Sequence, residues 1–111
     1  QRRELVFVDD FVNTLLELDQ TVKNDIVNIG AGEDYSIRDF ATTICNIVGV
    51  DPKNIQYDTS RYVGAKTKML SNKKLDSLLP NRTSTSLQEG LTLTLTWLEE
   101  LFTKKMSSAT S

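Results

Sequence analysis

The chain has 111 residues, with 13 basic and 15 acidic side chains and a net charge of -2, which is the size of one domain and a charge balance that suits neither nucleic acid nor an anionic membrane. With a single cysteine and no histidine, an internal disulfide is excluded, a zinc site would need carboxylates alone, and serine–histidine or cysteine–histidine nucleophiles lack their base. No apolar run approaches the ~18 residues that span a bilayer, so the expectation is a cytoplasmic chain with neither a nucleic-acid nor a membrane partner.

In chain order, Leu5 to Val8 is a short apolar run with β-branched and aromatic content, which predicts a buried strand. Asp9 is placed to cap the helix after it, whose inner face includes Val12, Leu15 and Leu16. Capping and the helix dipole also account for the Asp9–Asp10 pair better than a two-carboxylate acid/base site, since adjacent side chains seldom aim at one centre. DIVNIG predicts a second strand, Ile26 to Ile29, parallel to the first and stopped by the glycines of GAG. Ser36 with Asp39 three residues on opens the clearest helix, with Ile37, Phe40, Ala41, Ile44 and Val48 on one face, and Gly49 and Pro52 ending it. Cys45 falls on that stripe and reads as a small buried hydrophobe.

NIQYD is a candidate strand, followed by the glycine-bearing loop TSRYVGAKTK and the apolar pair Met69 and Leu70. SNKKLDSLLP predicts a short helix that Pro80 terminates. LTLTLT alternates like a strand, but Leu91, Leu95, Leu98 and Phe102 keep a helical spacing and Ser86 with Glu89 forms a capping box, so the segment is read as helix. The tail 104–111 has no apolar pattern and is expected to be frayed, leaving 1–103 as the folded unit. Asn81-Arg82-Thr83 matches a glycosylation sequon and is taken as incidental.

Four stretches carry more than periodicity: RRELVFVDD, NIGAGEDYSIRDFATTICNIVG, SRYVGAKTKML and the closing SLQEGL. In this order they resemble the C-terminal portion of the extended short-chain dehydrogenases/reductases that act on nucleotide sugars, and within that family the GDP-L-fucose synthases, with R-E-F-x-x-V-D-D, N-x-G-x-G-x-x-x-[ST]-I-R-E, K-P-D-G-x-x-R-K-L and S-L-E-x-G-L. The resemblance implies an α/β fold in which this chain is a C-terminal fragment: two strands of a Rossmann-type sheet and a small mixed substrate-binding lobe, without the N-terminal Rossmann lobe that holds NAD or NADP. The resemblance assigns the glycine-rich dinucleotide loop and the catalytic Tyr-x-x-x-Lys pair of such enzymes to that N-terminal lobe, so the fragment itself is expected to hold no cofactor, metal or catalytic residue. It implies a parent that is a homodimeric NAD(P)-dependent reductase or epimerase. The alternative is a free-standing, non-catalytic nucleotide-sugar binding or protein-interaction module.

What the resemblance leaves to these residues is the nucleotide diphosphate-sugar. Arg3 matches the arginine of R-E-F that reaches the diphosphate, Lys68 matches the lysine of the lysine–leucine pair, and Arg61 matches the lysine that precedes it; all three are expected at one cleft, Arg61 at its rim. Val63 and Thr67 depart from the pattern, standing where the family has aspartate and arginine. The GAG of Gly30 to Gly32 lacks a third glycine and is followed by Glu33 and Asp34, so it reads as a turn and not a phosphate cradle.

Overall fold

The first strand is made by the two arginines that follow Gln1. In the computed structural model, which describes residues 1–61 and 64–109, β1 (Arg2–Arg3) pairs antiparallel with β2 (Tyr35–Ser36), Arg2 opposite Ser36 and Arg3 opposite Tyr35. The other edge of β1 meets the loop 65–70 through a parallel bridge between Arg2 and Thr67. The chain is mixed α/β and mostly helical; its described residues form this two-stranded sheet, a short 3-10 turn at Pro52–Asn54 and four α-helices, α1 (Val8–Thr21), α2 (Ile37–Val48), α3 (Lys73–Leu78) and α4 (Leu87–Ala109).

The strands expected at Leu5 to Val8 and at Ile26 to Ile29 do not form among the described residues, nor does one at NIQYD, and the two expected to run parallel are not paired. A strand is defined by ladder bonds to a neighbour, and among the described residues neither run makes them. Instead Val8 opens α1, and backbone groups after Ile29 bond to side chains: Gly30 N–H donates to Asn72 Oδ1 (2.8 Å) and Ala31 N–H to a Glu4 carboxylate oxygen (3.2 Å).

Helix α1 is capped by backbone Phe7, not by Asp9, which lies within its first turn with Asp10. Its expected inner face is also displaced. Thr14 and Leu18 are the buried positions, while Val8, Phe11, Val12, Leu15 and Leu16 are exposed. Those five stand at i, i+3, i+4, i+7 and i+8, the stripe of a helix built to be covered.

Helix α2 follows its sequence signature. The Ser36 hydroxyl accepts the Asp39 N–H and the Asp39 carboxylate accepts the Ser36 N–H, both at 3.0 Å. Gly49 closes the helix at φ +81°, a left-handed conformation that glycine adopts without a Cβ clash. Phe40 and Cys45 are buried, and Tyr35 meets the Phe40 ring edge-on at 5.8 Å.

Helix α4 shows why the alternating LTLTLT does not become a strand. Each threonine hydroxyl donates to the carbonyl one turn back, Thr92 to Gln88 (2.7 Å), Thr94 to Gly90 (2.8 Å) and Thr96 to Thr92 (2.9 Å), so the β-branched polar groups are satisfied inside the helix. Ser86 accepts the Glu89 N–H at 3.2 Å at its start. The helix runs on through Ala109, past the point where the apolar stripe ends. Helix α2 packs against α4, and α3 contributes Leu75, which is fully buried.

The core is thin: Leu18, Phe40, Cys45 and Leu75 are its buried apolar side chains among the described residues. The chain is flat, 49 × 43 × 23 Å, with a radius of gyration of 17.6 Å, against about 13 Å for a closed domain of this length.

Candidate functional site

The edge of β1 away from β2 gathers basic residues. Arg2 N–H donates to the Lys66 carbonyl (2.8 Å) and Lys68 N–H to the Arg2 carbonyl (3.4 Å), which lays the loop 65–70 along the strand. The Arg3 guanidinium crosses to the same loop, donating to the carbonyls of Arg2 (2.6 Å) and Ala65 (2.9 Å). A solvent-open hollow results, lined by Arg3, Glu4, Thr67, Lys68, Met69 and Leu70. Arg3 and Lys68, 65 positions apart in sequence, therefore share one concavity.

Charge in the hollow is divided unequally. Among the described residues neither Arg3 nor Lys68 is ion-paired, the four ion pairs being Arg2–Asp34, Arg61–Asp58, Lys74–Asp25 and Arg82–Asp76. Arg3 thus makes no pair with Glu4 or Asp10, and its bonds to carbonyls aim it without neutralising it. The Glu4 carboxylate is spent on backbone: one oxygen accepts the Leu70 N–H and the other the Ala31 N–H, each at 3.2 Å. Arg2, by contrast, is committed. It donates to the Asp34 carboxylate (3.1 Å) and carbonyl (3.0 Å), and the hydrogen bond and charge of Asp34 hold its guanidinium above the ordinary arginine value.

Arg61 is not among the residues that line this hollow. Its guanidinium lies 3.4 Å from Asp58 with 87% of the side chain exposed. Asp58 is held below the usual carboxylate range first by the Ser60 hydroxyl and amide, with Arg61 a smaller contribution, so the pairing is mainly a property of that turn. Val63, one of the two departures from the family pattern, lies outside the described residues.

The GAG turn does not fit a dinucleotide pyrophosphate. A phosphate cradle needs free backbone N–H groups converging on an anion, and here the Gly30 and Ala31 N–H groups are already taken by Asn72 and Glu4. Asn72 also donates from Nδ2 to the Gly30 carbonyl (3.0 Å), so its amide closes on both backbone groups of that residue as a neighbouring strand would. A Cβ at Gly30 would stand 3.0 Å from Asn72 Oδ1 and from both Glu4 carboxylate oxygens, tight enough that these side chains would have to shift.

Asp10 has a role beyond the helix dipole. Oδ2 accepts the Thr85 N–H (2.6 Å) and Oδ1 the Thr85 hydroxyl (2.9 Å), fastening the start of α1 to the segment entering α4. Near it Arg82 is largely enclosed, donating to Asp76 at 2.9 Å, and its buried Nε has no partner among the described residues. Glu4, Asn72 and Arg82 were not foreseen as site-building residues, and no local pattern marks them. No cluster of three or more His, Cys, Asp or Glu side chains suited to a metal occurs among the described residues, and no helix there is long and apolar enough to cross a membrane.

Comparison with known proteins places relatives along most of the chain. It is 34% identical over 107 residues, 93% of this chain and 31% of the relative, to a putative GDP-L-fucose synthase 2 of Arabidopsis thaliana. It is 33% identical over 90 residues, 80% of this chain and 28% of the relative, to a GDP-L-fucose synthase of Sinorhizobium fredii. A dTDP-4-dehydro-6-deoxy-D-allose reductase of a Streptomyces species is 31% identical over 97 residues, 87% of this chain and 29% of that enzyme. The chain thus spans about a third of the length of the curated relatives it matches. No family model and no solved structure matches it.

Proposed function

We propose that this chain, a relative of nucleotide-sugar synthases and reductases, is the substrate-binding C-terminal part of an NAD(P)-dependent nucleotide-sugar reductase or epimerase and holds the diphosphate of the nucleotide sugar between Arg3 and Lys68. The observation that supports the reading is the shared hollow: two cations without carboxylate partners, brought together across the chain by the pairing of β1 with the loop 65–70. The relatives' names differ in base and sugar, GDP in some and dTDP in another, and the diphosphate is what such substrates have in common. A guanidinium and an ammonium carried by residues that line one opening suit that group and are indifferent to the base.

Arg61 completes the reading as a rim contact that would leave Asp58 to reach the ligand. NAD or NADP, the proton donor and the dimer contacts belong to the remaining two-thirds of a protein the size of the relatives, and nothing in these residues is asked to hold them. The exposed stripe of α1 and the unpaired runs at Leu5 to Phe7 and Ile26 to Ile29 support a lobe that adds a sheet at that edge. An upstream glycine-rich loop and Tyr-x-x-x-Lys in the parent reading frame would agree with this; a frame lacking both would favour a free-standing binding module.

The direct test is calorimetry on the full-length protein. Arg3→Ala and Lys68→Ala are each expected to weaken nucleotide-sugar binding by about 1.5–3 kcal/mol, the range for a charge-assisted hydrogen bond, and the effect should shrink as salt rises. If both variants bind GDP- and dTDP-sugars as tightly as the parent, the two residues are surface charges and the site assignment is wrong.

A further inference from the structure

We propose that Glu4 is a positioning residue for the hollow, its carboxylate setting where the Lys68 loop stands relative to Arg3; this rests on the diphosphate reading above. The Lys68 loop has two attachments. On one side it is held by β1, through the Arg2 backbone and the Arg3 guanidinium on Ala65. On the other it is held by Glu4, which accepts the Leu70 N–H with one oxygen while the other accepts the Ala31 N–H. Lys68 is the last residue of the first attachment, two positions before Leu70, and the second also ties the loop to the GAG turn. Asn72 also bonds that turn, so Gly30 lies against two side chains whose polar ends would each stand 3.0 Å from a Cβ there.

A carboxylate beside an anion site could also act simply as a repulsive charge, and the two roles predict opposite signs. Removing the charge while keeping the shape, in Glu4→Gln, would tighten anion binding if repulsion dominated. As a positioning group Glu4 is expected to do the reverse. Glutamine offers one acceptor oxygen where the carboxylate offers two, so it can hold Leu70 or Ala31 but not both, and the loop loosens.

The experiment uses the full-length protein with GDP and dTDP as probes, and reads binding by calorimetry and amide exchange by mass spectrometry or NMR. Glu4→Gln is expected to weaken both probes about fivefold and Glu4→Ala about tenfold or more, the size of one to two lost hydrogen bonds. Exchange should accelerate around Ala31 and Leu70 and stay unchanged in α4, which separates a local loosening from general destabilisation. Gly30→Ala alters no charge yet crowds the Asn72 and Glu4 side chains, so it is expected to weaken the probes in the same direction. Tighter binding in Glu4→Gln, or weaker binding with the Ala31 and Leu70 amides still protected, overturns the proposal. So does a neutral Gly30→Ala with unaltered exchange. If Arg3→Ala leaves binding unchanged, the diphosphate reading falls instead, while the exchange arm still decides whether Glu4 holds the two segments together.

Discussion

Replacing Asp10 by alanine is expected to release the start of α1 from the segment entering α4. Two bonds are lost, to the Thr85 N–H at 2.6 Å and to its hydroxyl at 2.9 Å, both partly buried. A hydrogen bond to a charged group contributes about 1.5–3 kcal/mol and an ordinary one about 1; with partial exposure we take the low end for the amide and about 1 for the hydroxyl. Loss of an acidic residue from the first turn adds about 0.3–1 kcal/mol, giving roughly 3 kcal/mol for Asp10→Ala. Asp10→Asn, which keeps one acceptor oxygen, is expected to cost about half as much. Thr85→Val removes the hydroxyl alone and should cost about 1 kcal/mol, and because that bond is shared, the double variant should fall short of the sum by a similar amount. Urea unfolding followed by far-ultraviolet circular dichroism reads the four variants against the parent. An Asp10→Ala change below about 0.5 kcal/mol, or strict additivity with Thr85→Val, would refute the argument that this pair joins the two helices.

Two further expectations use the same methods. The Ser36 amide, followed by the Ser36 hydroxyl, holds the Asp39 carboxyl below the usual carboxylate range; a lowered native value means that its stabilisation of α2 is complete above the unfolded carboxylate value of about 3.9 and is lost as pH falls through the native one. Asp39→Asn should therefore flatten the acid limb of helix loss measured by circular dichroism, and an unchanged limb would show that the cap does not titrate with folding. Leu15 and Leu16, 52% and 58% exposed, should tolerate glutamine in the 111-residue chain with less than about 1 kcal/mol of change; in the full-length protein each should cost about 2 kcal/mol if the α1 stripe is covered there, the worth of a buried leucine. Equal small effects in both would leave the stripe uncovered.

What the sequence disclosed follows from how local each determinant is. The Ser36–Asp39 box and Gly49 bracket α2 within 14 positions and were readable, as was α4, whose helical stripe outlasted a misleading threonine alternation. The runs at Leu5 to Val8 and Ile26 to Ile29 have strand composition, but a ladder is a contract with a distant segment, and neither run makes one among the described residues. Helical spacing likewise marked Val12, Leu15 and Leu16 as one face without saying what would face them. Arg3 and Lys68 came from family resemblance, and their meeting could not have come from periodicity, since it depends on the backbone of Arg2 pairing with Lys66 and Lys68. Glu4 and Asn72 were invisible for the same reason: their bonds to Ala31, Leu70 and Gly30 cross 27, 66 and 42 positions.

The way the hollow is held has a consequence for how it behaves. The chain exposes 8845 Å², where a closed monomer of this mass would expose about 6,200 Å², so little hydrophobic burial is available to keep distant segments in place. None of the six residues that line the hollow is buried. Its geometry therefore depends on a few polar bonds, those of the Arg2 backbone to Lys66 and Lys68, of Glu4, of Arg3 to Ala65 and of Asn72 to Gly30, each contributing on the order of 1 kcal/mol. Bonds of that size open often enough for the loop 65–70 to fluctuate as a unit of low local stability. An anion bridging Arg3 and Lys68 would supply a further tie between the same two segments, and by linkage it would stabilise the arrangement by as much as the arrangement improves its binding. The hollow is on this argument completed by its ligand, and the protection of the Leu70 amide should rise with nucleotide diphosphate concentration.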